Sequence, residues 1–439
     1  MNILLTGSSG FIGSRVAAAL AAVGHRVVAT GRSRPLSVKA SDFLAADFSA
    51  IPSPQWWASQ LGGIDVVINA VGVFQSAGSQ RFEALHTHAP IALFEGCVTA
   101  GVRLVIQISA LGSDQHAQTA YHRSKAAADH SLQRMPIRSV IVQPSLVYSP
   151  QGVSAGFFNQ LAVLPVLVLP DTASHIQPVH IEDVVEGIVQ LVQDESRSHH
   201  PQQNETRSSR TLAFVGPQPL TLLAYLAALR QSLGKSRKAW VMKIPSRWFL
   251  DLASLAGKFP GSLVNRDSVS MLLRGNAADP EEFTRLLGRL PKPASHFIPA
   301  DMASLTLADA VLRWVLPLMN AAIGLVWIWT GIVSLGLYPV AGSYELLADF
   351  GLAGVLATFA LYSGAVLDLA LGILTFTTRG RPRQLVLLMQ FLVIATYTFL
   401  ITLRIPEWWL HPFGPLSKNL PMLAGIALLL AMEPRPRGR

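Results

Sequence analysis

Thr6-Gly7-Ser8-Ser9-Gly10-Phe11-Ile12-Gly13 is the stretch on which the fold turns. It follows the apolar run Asn2–Thr6 and opens a helix-length segment at 11–23. A strand that turns through glycines into a helix aims backbone N–H groups and the positive helix end at one point, which suits a pyrophosphate. Gly7 permits the tight turn and Gly10 removes a Cβ where phosphates approach. Gly13 lets the helix pack close on the sheet. The spacing is G-x-x-G-x-x-G, with the strand before it and the helix after it that the motif requires.

Outward from this turn, short apolar runs alternate with helical patterns. The runs are Asn2–Thr6, Arg26–Thr30, Phe43–Ala46, Asp65–Asn69, Leu104–Ile108 and Ser139–Gln143, most of them rich in Val and Ile. Such runs read as strands buried on both faces. Helical segments lie between them at 11–23, 81–100 and 121–134. The alternation predicts right-handed crossovers and an α/β Rossmann-type, doubly wound parallel sheet. Residues 1–303 form this domain, with a substrate subdomain mainly at 144–300. Asp194 to Arg210 is polar and reads as a surface loop. His199 and His200 within it lack the ligand spacing of a metal site, and no metal is expected. Helices are predicted at 221–233 and 246–257, the second lying along a membrane surface or packed as an ordinary core helix.

The composition changes near residue 305. Half of the 439 residues are hydrophobic and 14% are charged, against roughly a quarter charged in soluble domains. Mean hydropathy is +0.38. Residues 304–439 are read as an all-α domain of four transmembrane helices at about 311–336, 352–376, 384–404 and 420–433. At 1.5 Å per residue the third spans ~31 Å, about one hydrocarbon core. The connection between the second and third carries Arg379, Arg381 and Arg383, and the tail carries Arg435, Arg437 and Arg439. The connection between the first and second, Leu337 to Gly351, has only Glu345 and Asp349. The positive-inside rule then places both termini in the cytoplasm, on an inner (plasma) membrane protein. Arg404 and Lys418 oppose this assignment; Trp408 and Trp409 suit an interface belt. Met1-Asn2 leads into Ile3-Leu4-Leu5 without a basic region or cleavage site, which also keeps the N-terminal domain cytosolic. Asp368 lies inside the second span, either as a functional carboxylate or as one hydrogen-bonded within the bundle. His411, alone in its loop, reads as structural.

The net charge of +9 reads as the positive bias of membrane loops. No nucleic-acid motif accompanies it, so no nucleic-acid partner is expected. The single cysteine, Cys97, excludes a disulfide within the chain and reads as a buried small hydrophobe.

The end of the second strand bears on coenzyme choice. NAD sites place an acid there for the ribose 2′-hydroxyl. This chain has Ala29-Thr30-Gly31-Arg32-Ser33-Arg34. Arg32 can pair with a 2′-phosphate bidentately and Ser33 can donate to it. NADP(H) is therefore favoured, with NAD(H) as the alternative.

Together these residues resemble the extended and atypical short-chain dehydrogenases/reductases. The nearest likeness is the branch containing the accessory NAD(P)H-binding subunit of respiratory complex I. The resemblance covers most of residues 1–300 and implies further roles. Asp47 looks like the acid that contacts adenine. Asn69-Ala70-Val71-Gly72 looks like the loop that backs the adenine ribose. Gln143-Pro144-Ser145-Leu146-Val147-Tyr148 looks like the turn near nicotinamide, which brings in Pro144 and Ser145. Gln177 to Val184 is similar to a segment opening a late helix, with His180 structural and Asp183 a cap or dipole partner. From about Ala308, and most clearly over Arg404 to Pro421, the chain looks like a DoxX-like membrane domain.

Tyr121-His122-Arg123-Ser124-Lys125 opens a predicted helix, with Tyr121 and Lys125 on one face. The resemblance assigns Tyr121 the proton transfer. Lys125 lowers the phenol's pKa and holds the nicotinamide ribose. The third member is a serine after the fifth strand: Ser109 is the best match and Ser113 the weaker candidate. The expected function is a membrane-anchored NAD(P)H-dependent oxidoreductase acting on a lipophilic carbonyl or quinone-type substrate. The alternatives are a non-catalytic NADPH-binding subunit or sensor of a membrane protein complex, and an NAD-dependent epimerase/dehydratase.

Overall fold

The computed structural model describes residues 1–34, 42–73, 82–197, 208–258 and 264–433. The chain divides into two units, Met1–Ala310 and Val311–Arg439. His199 and His200, most of the Asp194–Arg210 stretch, and the arginines at 435, 437 and 439 lie outside the described residues.

The first unit is built on a seven-stranded sheet. Its strands are β1 (Asn2–Thr6), β2 (Arg26–Gly31), β3 (Phe43–Ala45), β4 (Val66–Asn69), β5 (Leu104–Ile108), β6 (Ser139–Pro144) and β7 (Ser209–Phe214). The spatial order is β7-β6-β5-β4-β1-β2-β3. Every neighbouring pair runs parallel. Strand order reverses between β1 and β4, the switch point outside whose carboxyl ends open α/β sheets bind ligands.

Two apolar layers explain the uniformly apolar strands. On one face Ile3, Leu5, Ile68 and Ile106 pack with Val16 and Leu20 of α1 (Gly13–Ala22) and Val184, Ile188 and Val192 of α4 (Ile181–Arg197). On the other, Leu4, Val67, Val105 and Ile141 pack with Leu93 and Cys97 of α2 (Ala89–Ala100), Leu132 of α3 (Ala120–Arg134) and Trp57. Each large side chain buried this way contributes roughly 1.5–3 kcal/mol. Cys97 is fully buried and burial pushes its thiol pKa up.

Two features depart from the sequence reading. The stretch from Asp194 is not all loop: α4 continues to Arg197, and β7 begins at Ser209. Edge strand β7 needs apolar side chains only where it packs, at Leu212 and Phe214. Its polar start therefore hid it. Asp183 lies in the first turn of α4, as a dipole partner would, and is not its cap. Its carboxylate receives Arg289 (2.7 Å) and the Lys292 N–H (2.8 Å), while the Glu182 N–H donates to His180 Nδ1 (3.4 Å).

The second unit is helical. It contains most of α6 (Ala303–Ile332), then α7 (Gly354–Thr377), α8 (Arg381–Arg404) and α9 (Asn419–Met432). Among the described residues, three stretches are long and apolar enough to cross a membrane: Ala300–Leu337, Gly354–Thr377 and Arg381–Arg404, with mean hydropathies of 1.7, 1.8 and 2.2. α9, expected to span, has 14 residues, ~21 Å of helix against a ~30 Å hydrocarbon core. A further helix, Val340–Asp349, lies in the connection between the first and second spans. α6 and α7 approach closely through glycines: a Cβ on Gly372 would lie 2.6 Å from Ile328 Cγ1, and one on Gly331 2.7 Å from Leu369 Cγ. Small residues serve this purpose between membrane helices, where packing rather than water drives association.

Candidate functional site

The glycine turn sits at the carboxyl end of β1, beside the loop that follows β4. Gly7 has φ +67°, and a Cβ there would lie 2.6 Å from Ala70 O. A Cβ on Gly13 would lie 2.2 Å from Gly7 O. Both positions therefore require glycine, one by backbone sign and contact, the other by contact alone. Within the turn the Gly10 N–H donates to Gly7 O (2.9 Å), and the amides of Ser14, Arg15 and Val16 donate to Gly10 O or Ile12 O. Among the described residues the amides of Phe11, Ile12 and Gly13 donate to no protein acceptor. Unpartnered N–H groups at a helix N-terminus are what an anion needs. Ser8 Oγ donates to Thr30 O (3.1 Å), tying the turn to the end of β2. The Arg15 guanidinium lies 4.9 Å from the Phe11 ring centroid.

Beyond β2, Arg32 and Ser33 are exposed. Asp47 is exposed too and caps a short turn, accepting Ser49 N–H (2.9 Å) and Ser49 O–H (2.6 Å). Those bonds, and more weakly the Arg32 charge, hold its carboxyl below the usual range. Arg32 and Asp47 thus share one rim of the site.

Asn69 is fully buried. Its Oδ1 accepts from Thr6 Oγ1 (2.6 Å) and Val71 N (3.3 Å), and its Nδ2 donates to Gln107 Oε1 (2.7 Å). It staples the ends of β1, β4 and β5 and shapes the Ala70-Val71-Gly72 loop from behind. Ser145 likewise faces inward, its hydroxyl donating to Gln177 O. Pro144 closes β6 and accepts Leu111 N–H (2.9 Å).

Lys125 stands on α3 and is buried. Its Nζ donates to Val71 O (3.1 Å) and Ile108 O (3.0 Å), at the carboxyl ends of β4 and β5. A Cβ on Gly72 would lie 3.3 Å from that nitrogen. The glycine turn, the β4 loop and the α3 lysine are therefore one continuous set of contacts. Burial lowers the Lys125 pKa to about 8.

Tyr121 stands one turn earlier, its ring edge-on to Phe82, His86 and His122. Its acidity corrects the sequence expectation. Burial first, then the Asp129 charge, push the phenol up to about 12. Tyr121 is consequently a firmly protonated acid at neutral pH.

Ser109 donates to Asp129 Oδ2 and lies 3.3 Å from Ser113 Oγ. Both serine candidates are thus in one place. Asp129 went unnoticed in the sequence, although Tyr121, Lys125 and Asp129 are spaced i, i+4, i+8. It is buried, and desolvation raises its carboxyl against the opposing effects of Ser109 and Lys125. His86 was also missed. Its Nε2 accepts Val73 N–H (3.0 Å), which leaves the proton on Nδ1, 3.1 Å from Ser124 Oγ. Ser124 in turn donates to Tyr121 O (2.8 Å). Burial pulls His86 down to about 3, so the ring stays neutral and fixes the start of α3. No local pattern marks such a residue; only the fold brings 73, 86 and 124 together.

Among the described residues no group of three His, Cys, Asp or Glu side chains could hold a metal.

Residues 3–204 match the NAD dependent epimerase/dehydratase family, and residues 324–427 match the DoxX-like family. Among solved structures, a nucleoside-diphosphate-sugar epimerase from Staphylococcus aureus is 15% identical at a TM-score of 0.51, covering 68% of this chain and 99% of its own. A UDP-N-acetylglucosamine 4-epimerase from Bacillus cereus is 12% identical at a TM-score of 0.49, covering 72% and 99%. At such identities the likeness is one of fold. No curated protein matches the sequence.

Proposed function

We propose that this chain, an epimerase/dehydratase-type domain of the short-chain dehydrogenase/reductase kind joined to a DoxX-like membrane domain, is a membrane-anchored NAD(P)H-dependent reductase of lipophilic carbonyl or quinone-type substrates. The observation that carries the reading is the Lys125 ammonium held between the carbonyls of Val71 and Ile108, against the loop that the glycine turn packs on. The residues present fit a dinucleotide: at the head of α1 three amides have no acceptor among the described residues, and cradle positions exclude a Cβ.

When bound, the coenzyme supplies the hydride. The chain does the rest. The amides of Phe11, Ile12 and Gly13 bind the pyrophosphate. Arg32 and Ser33 hold a ribose 2′-phosphate, which favours NADP(H) over NAD(H). Lys125 orients the nicotinamide ribose, and Ser109 hydrogen-bonds the reacting oxygen. Tyr121 gives that oxygen its proton, a direction favoured by a phenol whose pKa lies near 12. Asp129 positions Ser109 and steadies the Lys125 charge.

Membrane-capable helices in the same chain favour a substrate that resides in lipid. The Arg379, Arg381 and Arg383 loop favours an orientation with the α/β unit and the C-terminus in the cytoplasm. A reporter fused after Arg439 tests this, and an external location contradicts it.

The family match at residues 3–204 favours a second reading, an epimerase or dehydratase with resident NAD. The basic end of β2 separates the two, because a resident NAD calls for an acid there. The test is NADPH oxidation by the detergent-purified protein with a panel of short-chain quinones and aldehydes. Wild type should turn over and Tyr121→Phe should lose most of that rate. Equal rates, or none from either, count against the proposal.

A further inference from the structure

Outside the site, the α/β unit carries a surface that an aqueous domain has no reason to keep. Strands Val166–Asp171 and Trp240–Pro245 run parallel, with Trp240 opposite Val166 and Met242 opposite Val168. Alternation along a strand puts these four side chains on one face. All four are exposed, Trp240 to 82%. The alternate residues Leu167 and Leu169 are buried. The chain then enters α5 (Ser246–Ala256), which packs against both strands. Trp248, Leu252 and Leu255 stand at i, i+4 and i+7, one stripe of the helix, and each is 56% exposed. Ala253, on the opposite side, is buried.

The charges around this surface are mostly basic, the acids on its elements being Asp171 and Asp251. Lys235, Arg237, Lys238, Lys243 and Arg247 fall within 235–247, and no acid lies among them. Among the described residues, Lys243 alone of these has an acidic partner, Asp171 at 3.4 Å. Tryptophan and aliphatic side chains beside a cluster of Lys and Arg are the composition that seats protein in the headgroup region of an anionic bilayer. A second copy of the chain fits poorly, because two such faces repel each other. The same chain continues into the membrane-capable stretch beginning at Ala300, so a bilayer is always within tether reach.

We propose that residues 235–255, with the strand at 166–171, form an interfacial docking surface for anionic phospholipid, distinct from the membrane-spanning helices. It lies outside the dinucleotide site and holds whether or not the protein turns over a substrate.

The test uses the full-length protein in nanodiscs of phosphatidylcholine, with or without phosphatidylglycerol. An environment-sensitive fluorophore is placed on Trp240→Cys, and on Gln60→Cys as an exposed control; native Cys97 is fully buried and does not label. In anionic discs the probe at 240 should shift to the blue and lose at least about half its emission to a nitroxide on the lipid chains. The probe at 60 should do neither. Replacing Lys235, Arg237 and Lys238 together by Glu should abolish both changes at 240, with an unaltered melting temperature showing that the unit still folds. A water-like spectrum at 240 in anionic discs overturns the proposal. So does a blue-shifted probe that the lipid nitroxide does not quench, because protein then covers the patch.

Discussion

The two units of this chain treat polarity in opposite ways. In the α/β unit large apolar side chains are inside, and the polar groups that go inside are tied together: Thr6 with Asn69 and Gln107, Ser109 with Asp129, Lys125 with two carbonyls. In the helical unit Val355, Phe359, Leu392 and Leu403 are exposed, and one buried polar contact joins Gln390 to Thr375 at 2.9 Å. Each arrangement is stable in one surrounding only, water for the first and hydrocarbon for the second. The contrast locates chemistry. Lys125 is a buried cation held by two carbonyls at the carboxyl edge of the sheet, where burial shifts its pKa. The strand and helix at 240–255 are where the first unit departs from its own rule.

The comparison can be broken at several depths. Gly13→Val drives side-chain atoms into Gly7 O, backbone that cannot yield. Coenzyme binding should fall at least about 100-fold by calorimetric titration, while Gly62→Ala, with open space around it, leaves it unchanged. Tyr121→Phe removes the acid and should lower kcat by roughly 10²–10⁴, with coenzyme affinity unaltered. Arg32→Ala should weaken NADPH by about 10- to 100-fold, the loss of a charge-assisted pair, and leave NADH nearly unchanged. Equal losses for both coenzymes would show that the 2′-phosphate is not bound there.

Lys125 gives a pH test in which stability and activity move oppositely. Its pKa falls from 10.5 to about 8 on burial. Between those values the unfolded chain binds a proton the folded chain has released, so stability rises with pH over that window. Turnover that needs the ammonium falls as pH passes about 8. In Lys125→Met the rise in stability should vanish from the melting curves. The smallest expected effect is in the second unit. Thr375→Val breaks its bond to Gln390 and should cost about 0.6 kcal/mol, measured by unfolding in mixed micelles.

The doubly wound sheet was legible because parallel strands covered on both faces must be apolar throughout, and because the glycine turn admits few other contexts. The membrane-capable helices were legible because hydrocarbon leaves little choice of residue. What escaped detection depends on neighbours distant in sequence. Ser209 and Arg210 look like loop until β6 supplies the strand they pair with. His86 gains its role from Val73 and Ser124, and His180 replaces Asp183 as a cap because Arg289 and Lys292 claim that carboxylate. The acidity of Tyr121 was misread for the same reason. Spacing along α3 placed an ammonium nearby, but only packing brings in the burial and the Asp129 charge that raise the phenol. Asp129 itself, one further turn along the same face, was within reach of the periodicity.

The central claim is that the turn from β1 into α1 binds a dinucleotide. Calorimetric titration of NADPH into the detergent-purified full-length protein, wild type beside Gly13→Val, tests it most directly. Saturable binding to wild type with one site, and binding at least about 100-fold weaker to the variant, is the result this account requires. Heat that is absent from both, or a binding curve that the variant reproduces, contradicts it.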